Sequence, residues 1–532
     1  MTTQRALVWF KRDLRVHDHA PLAAALAHAD ALALFIVEPE WLQSPECDGS
    51  HVDFALACLT ELRGALAARG LPLLVRVGSA VPVLTQLHAE LAFTHLLSHE
   101  ETGPGWSYSR DLQLASWCKG KRILWQEFPQ TGVVRRLRSR TGWAQRWQAR
   151  MDAPLQLLNG RFTPAVPLDQ PELPTLASLG LAPHGKALQA AGEKAARHML
   201  KSFLQVRGYD YRKALSSPLS AEEGCSRLSP HLAFGSLSMR TVHQATEVAI
   251  GNTPDRALAY ALRGFAGRLR WHCHFMQKLE DEPGIEFRNF ARVCDGLREN
   301  DFNDAAFTAW CEGRTGYPMV DACMRSLVAT GWLNFRMRAM LVSFASYHLW
   351  LHWRQTGLFL ARQFLDYEPG IHWSQLQMQS GTTGINTTRV YNPIKQAQDH
   401  DPKGIFVRRW LPHMRRVPDT WLFEPWLMPP EVQRHCGLTV GSGPDADIPL
   451  PVVDLAEATR KSKAALHERR AEPGVKAGKK AIVEKHASRK HGTGHQRDVF
   501  TRDSDTPKTN RRKSAKSSSA NTPPSAQLGF DF

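Results

Sequence analysis

At 532 residues the chain exceeds what one hydrophobic core ordinarily supports, so two or more domains are expected. Hydrophobic residues make up 43% of it, as in a water-soluble globular protein, and no run approaches the roughly 20 apolar residues that span a bilayer. The nine cysteines stand singly with no Cys-x-x-Cys pair, which argues against a zinc ribbon, a thioredoxin motif or a clustered iron–sulfur site.

The net charge of +16 is unevenly spread: +11 of it falls between Arg460 and Phe532. The whole-chain charge therefore describes a tail more than a binding cleft. The N-terminus runs straight into a strand-like segment without a signal-peptide layout, so a cytoplasmic protein is expected.

The first 130 residues alternate strand-like and helix-like patterns. Ala6–Phe10 is a short apolar run, followed by the turn-like Lys11-Arg12-Asp13. Leu22–Ala29 has helical composition, and Ala31–Val37 is a second buried strand. Phe54–Arg69 suits an amphipathic helix ended by Gly70; Leu71–Val77 is a third strand and Leu96-Leu97 lies in a fourth. Apolar strands alternating with helices predict a doubly wound α/β domain with a parallel sheet.

Residues 131–195 read as a linker with short helices. Residues 196–440 show almost no β-alternation; long segments rich in Trp, Arg and Met, such as Ala257–Leu279 and Pro318–Trp353, predict an all-α domain. Residues 441–532 are expected to be a disordered basic tail.

Four constellations in the helical region carry chemistry. Cys225-Ser226-Arg227-Leu228-Ser229-Pro230-His231-Leu232 sets hydroxyls and backbone N–H groups ahead of a helix, a phosphate cradle or simply a helix cap. Gly313–Ala322 leads through Met324-Arg325 to Thr330–Arg338, where Arg336 and Arg338 fall on different helix faces, so one can point inward. Asp366-Tyr367-Glu368, continuing through His372-Trp373 to Gly381, Asn386 and Tyr391-Asn392-Pro393, puts two carboxylates near an inward arginine. That suits a polar cofactor ring or a structural ion pair. Phe406-Val407-Arg408-Arg409-Trp410-Leu411-Pro412 interleaves basic and aromatic residues, as in phosphate contact and base stacking, or as in a surface helix end.

In order and spacing these segments resemble the photolyase/cryptochrome family. The matching pieces are the Ser-Arg-Leu-Ser-Pro turn at 226–230, Thr315-Gly316-Tyr317-Pro318 with Asp321 and Met324-Arg325, and Gly331-Trp332. Arg336 with Arg338, Asn392-Pro393 and Arg409-Trp410-Leu411-Pro412 complete the set. At the front, Trp9-Phe10-Lys11-Arg12-Asp13-Leu14-Arg15 and Asp18 are similar to the family's opening strand and turn. The resemblance covers about residues 1–430.

It implies an α/β antenna domain and a helical domain holding FAD. Cys225, Ser226, Arg227, Leu228 and Ser229 would hold the FAD phosphates; Tyr211 would lie at the FAD edge; Arg338, Asp366 and Glu368 would lie beside the isoalloxazine. His372 is the candidate for the residue facing flavin N5. Trp271 would stack on a flipped pyrimidine dimer, with Gln396, Arg408 and Arg409 contacting the DNA backbone. The implied activity is blue-light repair of UV lesions in DNA. The alternatives are a cryptochrome-like photoreceptor acting through a partner and a light-independent DNA-binding flavoprotein.

Several positions depart from the family. Arg268 stands where dimer photolyases carry Glu, and Phe335 where Asn is usual; both fall in the expected lesion pocket. Residues 370–378 lack the common Asn-Gly-x-Trp-x-Trp pattern, so aligning them calls for a short deletion. In the family's tryptophan chain Trp353 matches the middle member, Asn300 stands at the outer position and the inner one is lost or displaced; Trp373 and Trp350 offer another route. A pterin/folate or deazaflavin antenna is expected at most in the N-terminal domain, with Glu101 as a candidate contact. The ending Gln527-Leu528-Gly529-Phe530-Asp531-Phe532 resembles bacterial sliding-clamp-binding peptides. No metal and no membrane contact is expected, and the protein is expected to be a monomer.

Overall fold

A computed structural model of the protein describes residues 4–166, 171–384, 389–443, 445–471, 482–483 and 485–486. All of these lie in one compact unit, Met1–Ser488. Asn386 and the terminal Gln527–Phe532 fall outside the described residues.

Five parallel strands, β1 (Arg5–Phe10), β2 (Asp30–Val37), β3 (Leu73–Val77), β4 (His95–His99) and β5 (Leu124–Phe128), form a sheet in the order β3-β2-β1-β4-β5. The apolar run of β1 is what a strand buried on both faces requires. Its Ala6, Val8 and Phe10 enter one core cluster and its Leu7 and Trp9 the other. Register at the strand start is pinned by Arg5, whose Nε and Nη2 donate to the two oxygens of Asp30 at 2.8 Å each. Strand order reverses between β1 and β4, the position where doubly wound sheets hold ligands.

The helix Gly49–Ala67 starts at the Asp48 cap, which accepts from Ser50 N at 3.0 Å. Gly70 follows it at φ +81°, where a Cβ would lie 2.7 Å from the Phe162 carbonyl oxygen.

Beyond the linker the described chain is helical up to residue 439. The helix Arg256–Asp281 is capped by Asp255 and buries Leu262, Phe265, Leu269, Cys273 and Met276, a stripe at three- and four-residue spacing. Thr315 and Gly316 fold onto Asp321: Thr315 N and Oγ1 donate to Oδ1 at 2.8 and 2.6 Å, and Gly316 N donates to Oδ2 at 3.0 Å. This family-like motif thus builds the start of the helix Pro318–Thr330.

The tail departs from expectation over its first part. Short paired strands at Val440–Gly441 and Ile448–Pro449 are followed by a helix, Leu455–Ala471. That helix buries Ala458, Ser462 and Leu466 and hydrogen-bonds through Ser462 to the Tyr347 carbonyl. Its few apolar residues are spaced one turn apart, so a charge-rich composition conceals one buried edge. Among the described residues no helix is long and apolar enough to cross a membrane.

The α/β and helical parts are joined through backbone carbonyls. Leu14 N donates to Phe234 O at 3.1 Å and Arg15 Nη1 to Gly235 O at 3.0 Å. At Gly235, φ +65°, a Cβ would fall 2.1 Å from the Arg12 carbonyl oxygen, so only glycine permits the approach. Further on, Arg12 donates to Tyr367 O at 3.2 Å, His51 bonds Phe364 O at 3.0 Å and Lys186 donates to Arg362 O at 2.9 Å.

Candidate flavin site

The helix Phe335–Ser343 follows the turn at Gly331-Trp332 and carries Arg338 into the domain centre. Arg338 Nη1 and Nη2 donate to Asp366 Oδ1 and Oδ2 at 2.9 and 2.8 Å, a bidentate pair. Its Nε donates to Leu333 O at 2.7 Å, and the guanidinium lies 4.0 Å from the Phe364 ring centroid. Burial works against the Asp366 carboxylate, but Arg338 and a hydrogen bond from Ser229 hold its pKa below the ordinary value. Ser229 thereby ties the predicted phosphate cradle to the predicted ring site. The charge of Arg336 acts on His400, whose pKa is lowered to about 4 chiefly by burial.

These residues border a cavity whose apolar walls include Phe335, Val342, Leu360, Phe364 and Leu376, with polar groups from Arg338, Asp366, Glu368, His372, Gln375 and Gln379. Gln375 Oε1 is buried with no hydrogen-bond partner among the described residues. Flat apolar walls, an ion pair and an unmatched acceptor suit a heteroaromatic ring with N–H and carbonyl edges. The residues present therefore fit a flavin.

Arg227 adopts φ +59°, its carbonyl accepts from Gln189 at 3.0 Å, and its guanidinium lies 4.0 Å over the Trp332 ring. Leu228 N donates to Ser226 Oγ at 3.4 Å. Burial pushes the Cys225 thiol up to about 11 and the Tyr211 hydroxyl up to about 12, so both are neutral hydrogen-bonding groups.

His372 lines the cavity and bonds Gly357 O through Nε2 at 2.8 Å. Burial pulls its pKa down to about 3, so the ring is neutral, with its proton on Nε2. Its Nδ1 is then an acceptor.

Glu368 also lines the cavity, and it meets a residue that sequence reasoning missed. His272 Nε2 lies 2.8 Å from Glu368 Oε2. Burial would lower the imidazole pKa, but the carboxylate overcomes it and raises it to about 10. The only sequence signal was its place beside Trp271.

Trp373 and Trp353 are both almost fully buried and meet edge to face, with centroids 5.8 Å apart. Trp373 lies 4.8 Å from the His372 ring, and Trp353 Nε1 donates to Asn289 at 2.7 Å. The structure therefore joins these two tryptophans to the cavity. Asn300 is exposed in a turn, and Trp350 lies under the Arg298 guanidinium at 4.4 Å.

The predicted DNA-contacting residues are less uniform. Trp271 is half-buried, its ring 5.3 Å from His274 and 5.6 Å from Phe275. Phe335, expected in the lesion pocket, is a wall of the flavin-type cavity, and Arg268 hydrogen-bonds Tyr211. Arg408 is not free for phosphate: its donors go to Asp419 Oδ1 at 2.6 Å and to the carbonyls of Lys403, Met414 and Val417. Arg409 is exposed and pairs with Glu222 at 2.8 Å, while Gln396 is buried. Arg-rich helix ends look alike in sequence whether the forks serve loop carbonyls or a ligand.

Glu101 borders a separate cavity beyond the end of β1, with Trp9, Lys11, Glu38, Trp106 and Arg110. It accepts from Arg110 at 2.6 Å, and Arg110 bridges on to Glu38 at 2.7 Å.

A doubly wound sheet docked on a helical domain, with a bidentate Arg–Asp pair bordering a largely apolar cavity, is the architecture of a two-domain flavoprotein. A family model described as the FAD binding domain of DNA photolyase matches residues 265–468, and one described as DNA photolyase matches 6–146. The chain is 30% identical over 498 residues to the deoxyribodipyrimidine photo-lyase of Escherichia coli, covering 87% of this chain and 98% of that one. It is also 30% identical over 491 residues to the cryptochrome DASH of Gloeobacter violaceus, covering 87% and 96%. In fold it is similar to the bacterial class III photolyase of Agrobacterium tumefaciens, with a TM-score of 0.76 at 24% identity over 89% of this chain and 99% of that one. The chain belongs to the photolyase/cryptochrome family.

Proposed function

We propose that the protein is a FAD-dependent, blue-light-driven deoxyribodipyrimidine photolyase that repairs pyrimidine dimers in DNA. The observation that carries this reading is the Arg338–Asp366 pair, joined by Ser229 to the cradle and facing the cavity. When bound, reduced FAD supplies a photoexcited electron that passes to the dimer and returns after the ring bonds split, so the reaction is redox-neutral overall.

The protein's own residues bind, orient and tune. The cradle at 225–229 takes the phosphates through backbone N–H groups and hydroxyls. Arg338 supplies a fixed cation that favours an anionic ring beside it. His372, held by Gly357 in one tautomer, presents Nδ1 as an acceptor for a ring N–H. Trp271 offers a stacking face for an extruded base, worth about 1–3 kcal/mol. Trp373 and Trp353 form the buried inner part of a route by which an electron reaches oxidised flavin.

The test is to illuminate the reduced holoprotein with oligonucleotides carrying a defined cyclobutane dimer or (6-4) product. Restoration of either supports repair, and restoration of neither rejects it. A second reading, a cryptochrome-like photoreceptor, is favoured by Arg268 and Phe335, which stand in the sequence where the family's dimer photolyases usually carry Glu and Asn; light-dependent partner release or dimerisation would support it.

The cavity beside Glu101, with Trp9 and Trp106 as aromatic walls, supports a pterin or deazaflavin antenna. Absorbance of the purified protein beyond that of flavin tests it. The basic segment after Arg460 supports salt-sensitive DNA affinity, and Gln527–Phe532 supports docking to a bacterial sliding clamp. Equal clamp recovery with and without those six residues would remove the latter.

A further inference from the structure

We propose that Arg256, Arg263 and Arg270 form a row that holds the phosphates of the damaged DNA strand and leads it to Trp271. The inference rests on the repair reading. It supplies the backbone contacts that Arg408, with its donors spent on Asp419 and loop carbonyls, does not.

The row follows from sequence and helix geometry. The three arginines recur every seven residues on the helix Arg256–Asp281, nearly two full turns, so they stand about 10 Å apart along one face. All three are exposed. The opposite face buries Leu262, Phe265, Leu269, Cys273 and Met276, so the row points away from the domain core. Among the described residues none of the three donates a hydrogen bond or pairs with a carboxylate. Surface arginines on a helix commonly meet an acid one turn away, yet this helix has no Asp or Glu between Arg256 and Leu279. An uncompensated row of this kind attracts a polyanion.

The residues between the arginines suit a nucleic-acid strand. Tyr260, 43% exposed, offers a ring held by the Arg212 guanidinium at 4.1 Å. Gly264 and Gly267 follow, although glycine weakens a helix interior. A Cβ on Gly264 would meet only the Arg212 side chain, at 3.5 Å, and one on Gly267 would meet nothing within 4 Å. Packing within the protein thus requires neither glycine, and their bare backbone lets a strand lie close to the helix.

The row ends where the lesion is expected. Trp271 follows Arg270 directly. Beyond it the face is covered: His274 is buried, with the Trp143 ring 5.9 Å away. His272, next to Trp271, lies 2.8 Å from Glu368 of the flavin-type cavity. Gly370 closes the same junction, since a Cβ on it would fall 2.7 Å from Met276 Cα. A strand tracked along the row is therefore delivered to the stacking ring beside the cavity.

The test measures binding of the full-length, FAD-saturated protein to labelled single strands with and without one cyclobutane dimer, by fluorescence anisotropy across a salt series. Wild type is compared with the triple variant Arg256→Gln, Arg263→Gln, Arg270→Gln, with Gly267→Glu and with Trp271→Ala; flavin absorbance checks that each is folded. The basic segment after Arg460 is common to all and cancels. Three lost phosphate contacts predict a plot of log affinity against log salt shallower by about 2 in the triple variant. The loss should be the same for damaged and undamaged strands, because phosphate contacts carry no lesion information. Gly267→Glu, which puts bulk and a carboxylate into the row, should weaken both strands alike. Trp271→Ala should keep the slope and lose the preference for the dimer. A triple-variant slope within about 0.5 of wild type, or a loss confined to the damaged strand, would overturn the proposal. A wild type that shows no preference for the dimer strand would instead reject the repair reading on which it rests.

Discussion

Replacing His272 by Gln removes the cation that faces Glu368 and keeps the side chain's approximate length. In the wild type the pair is 2.8 Å apart, with only 16% of the His272 and 10% of the Glu368 side chain exposed. An imidazole pKa raised from 6.5 to about 10 corresponds to about 4–5 kcal/mol at full effect. Residual solvent screening reduces this, and breaking a buried pair costs about 3–5 kcal/mol when one charge is left behind, so a loss of about 2–4 kcal/mol is expected. The sign follows from linkage: a histidine whose pKa is raised on folding stabilises fully below pH 6.5 and loses that stabilisation as pH rises through about 10. The assay is urea unfolding of wild type, His272→Gln, Glu368→Gln and the double variant between pH 6 and 10. His272→Gln should be the least stable at pH 7, the double variant should recover much of the loss, and only wild type should weaken steeply towards pH 10. Equal stability of wild type and His272→Gln at pH 7, or titration of His272 near 6.5 by NMR, would refute the reasoning.

Asp366→Asn leaves Arg338 facing a neutral amide. Because Arg338 is about a quarter exposed, the expected cost is about 2–3 kcal/mol in urea unfolding, with weaker flavin retention; unchanged values would contradict the pairing. Glu286 is buried against Gly105 N at 2.8 Å, and burial pushes its pKa up to about 7. A raised carboxyl stabilises below its ordinary pKa of 4.5 and loses that contribution as pH rises through about 7, so Glu286→Gln should be more stable than wild type at pH 8 by about 2–3 kcal/mol and equal to it near pH 4. Melting curves at the two pH values check this. Trp353→Phe should slow light-driven reduction of oxidised flavin, followed by the loss of its visible absorbance; an unchanged rate would move the electron route elsewhere.

The α/β sheet was legible because β1 and β2 are continuous apolar runs, which only a strand buried on both faces needs. The helical domain was legible from its three- and four-residue stripes. Arg338 and Asp366 were legible as a pair through the family resemblance; spacing alone showed only that Arg336 and Arg338 do not share a helix face. Other features depend on contacts far apart in the chain, which local pattern does not carry. His272 acquires its charge from Glu368, nearly a hundred residues away. Arg408 has the sequence surroundings of a phosphate contact, but its fork is consumed by Asp419 and three carbonyls. The helix Leu455–Ala471 was hidden because a basic, alanine-rich segment needs only a few one-turn-spaced residues to find a groove.

The grip on residues 362–367 has a consequence for how the two halves depend on each other. Arg12, His51 and Lys186 hold the carbonyls of Tyr367, Phe364 and Arg362, on either side of Asp366. Carbonyls are indifferent to side-chain identity, so this stretch can drift in sequence while its path stays fixed. The N-terminal half thus acts as a splint for the carboxylate that Arg338 meets. A helical half produced on its own would keep every residue that lines the cavity and lose the frame that aligns them.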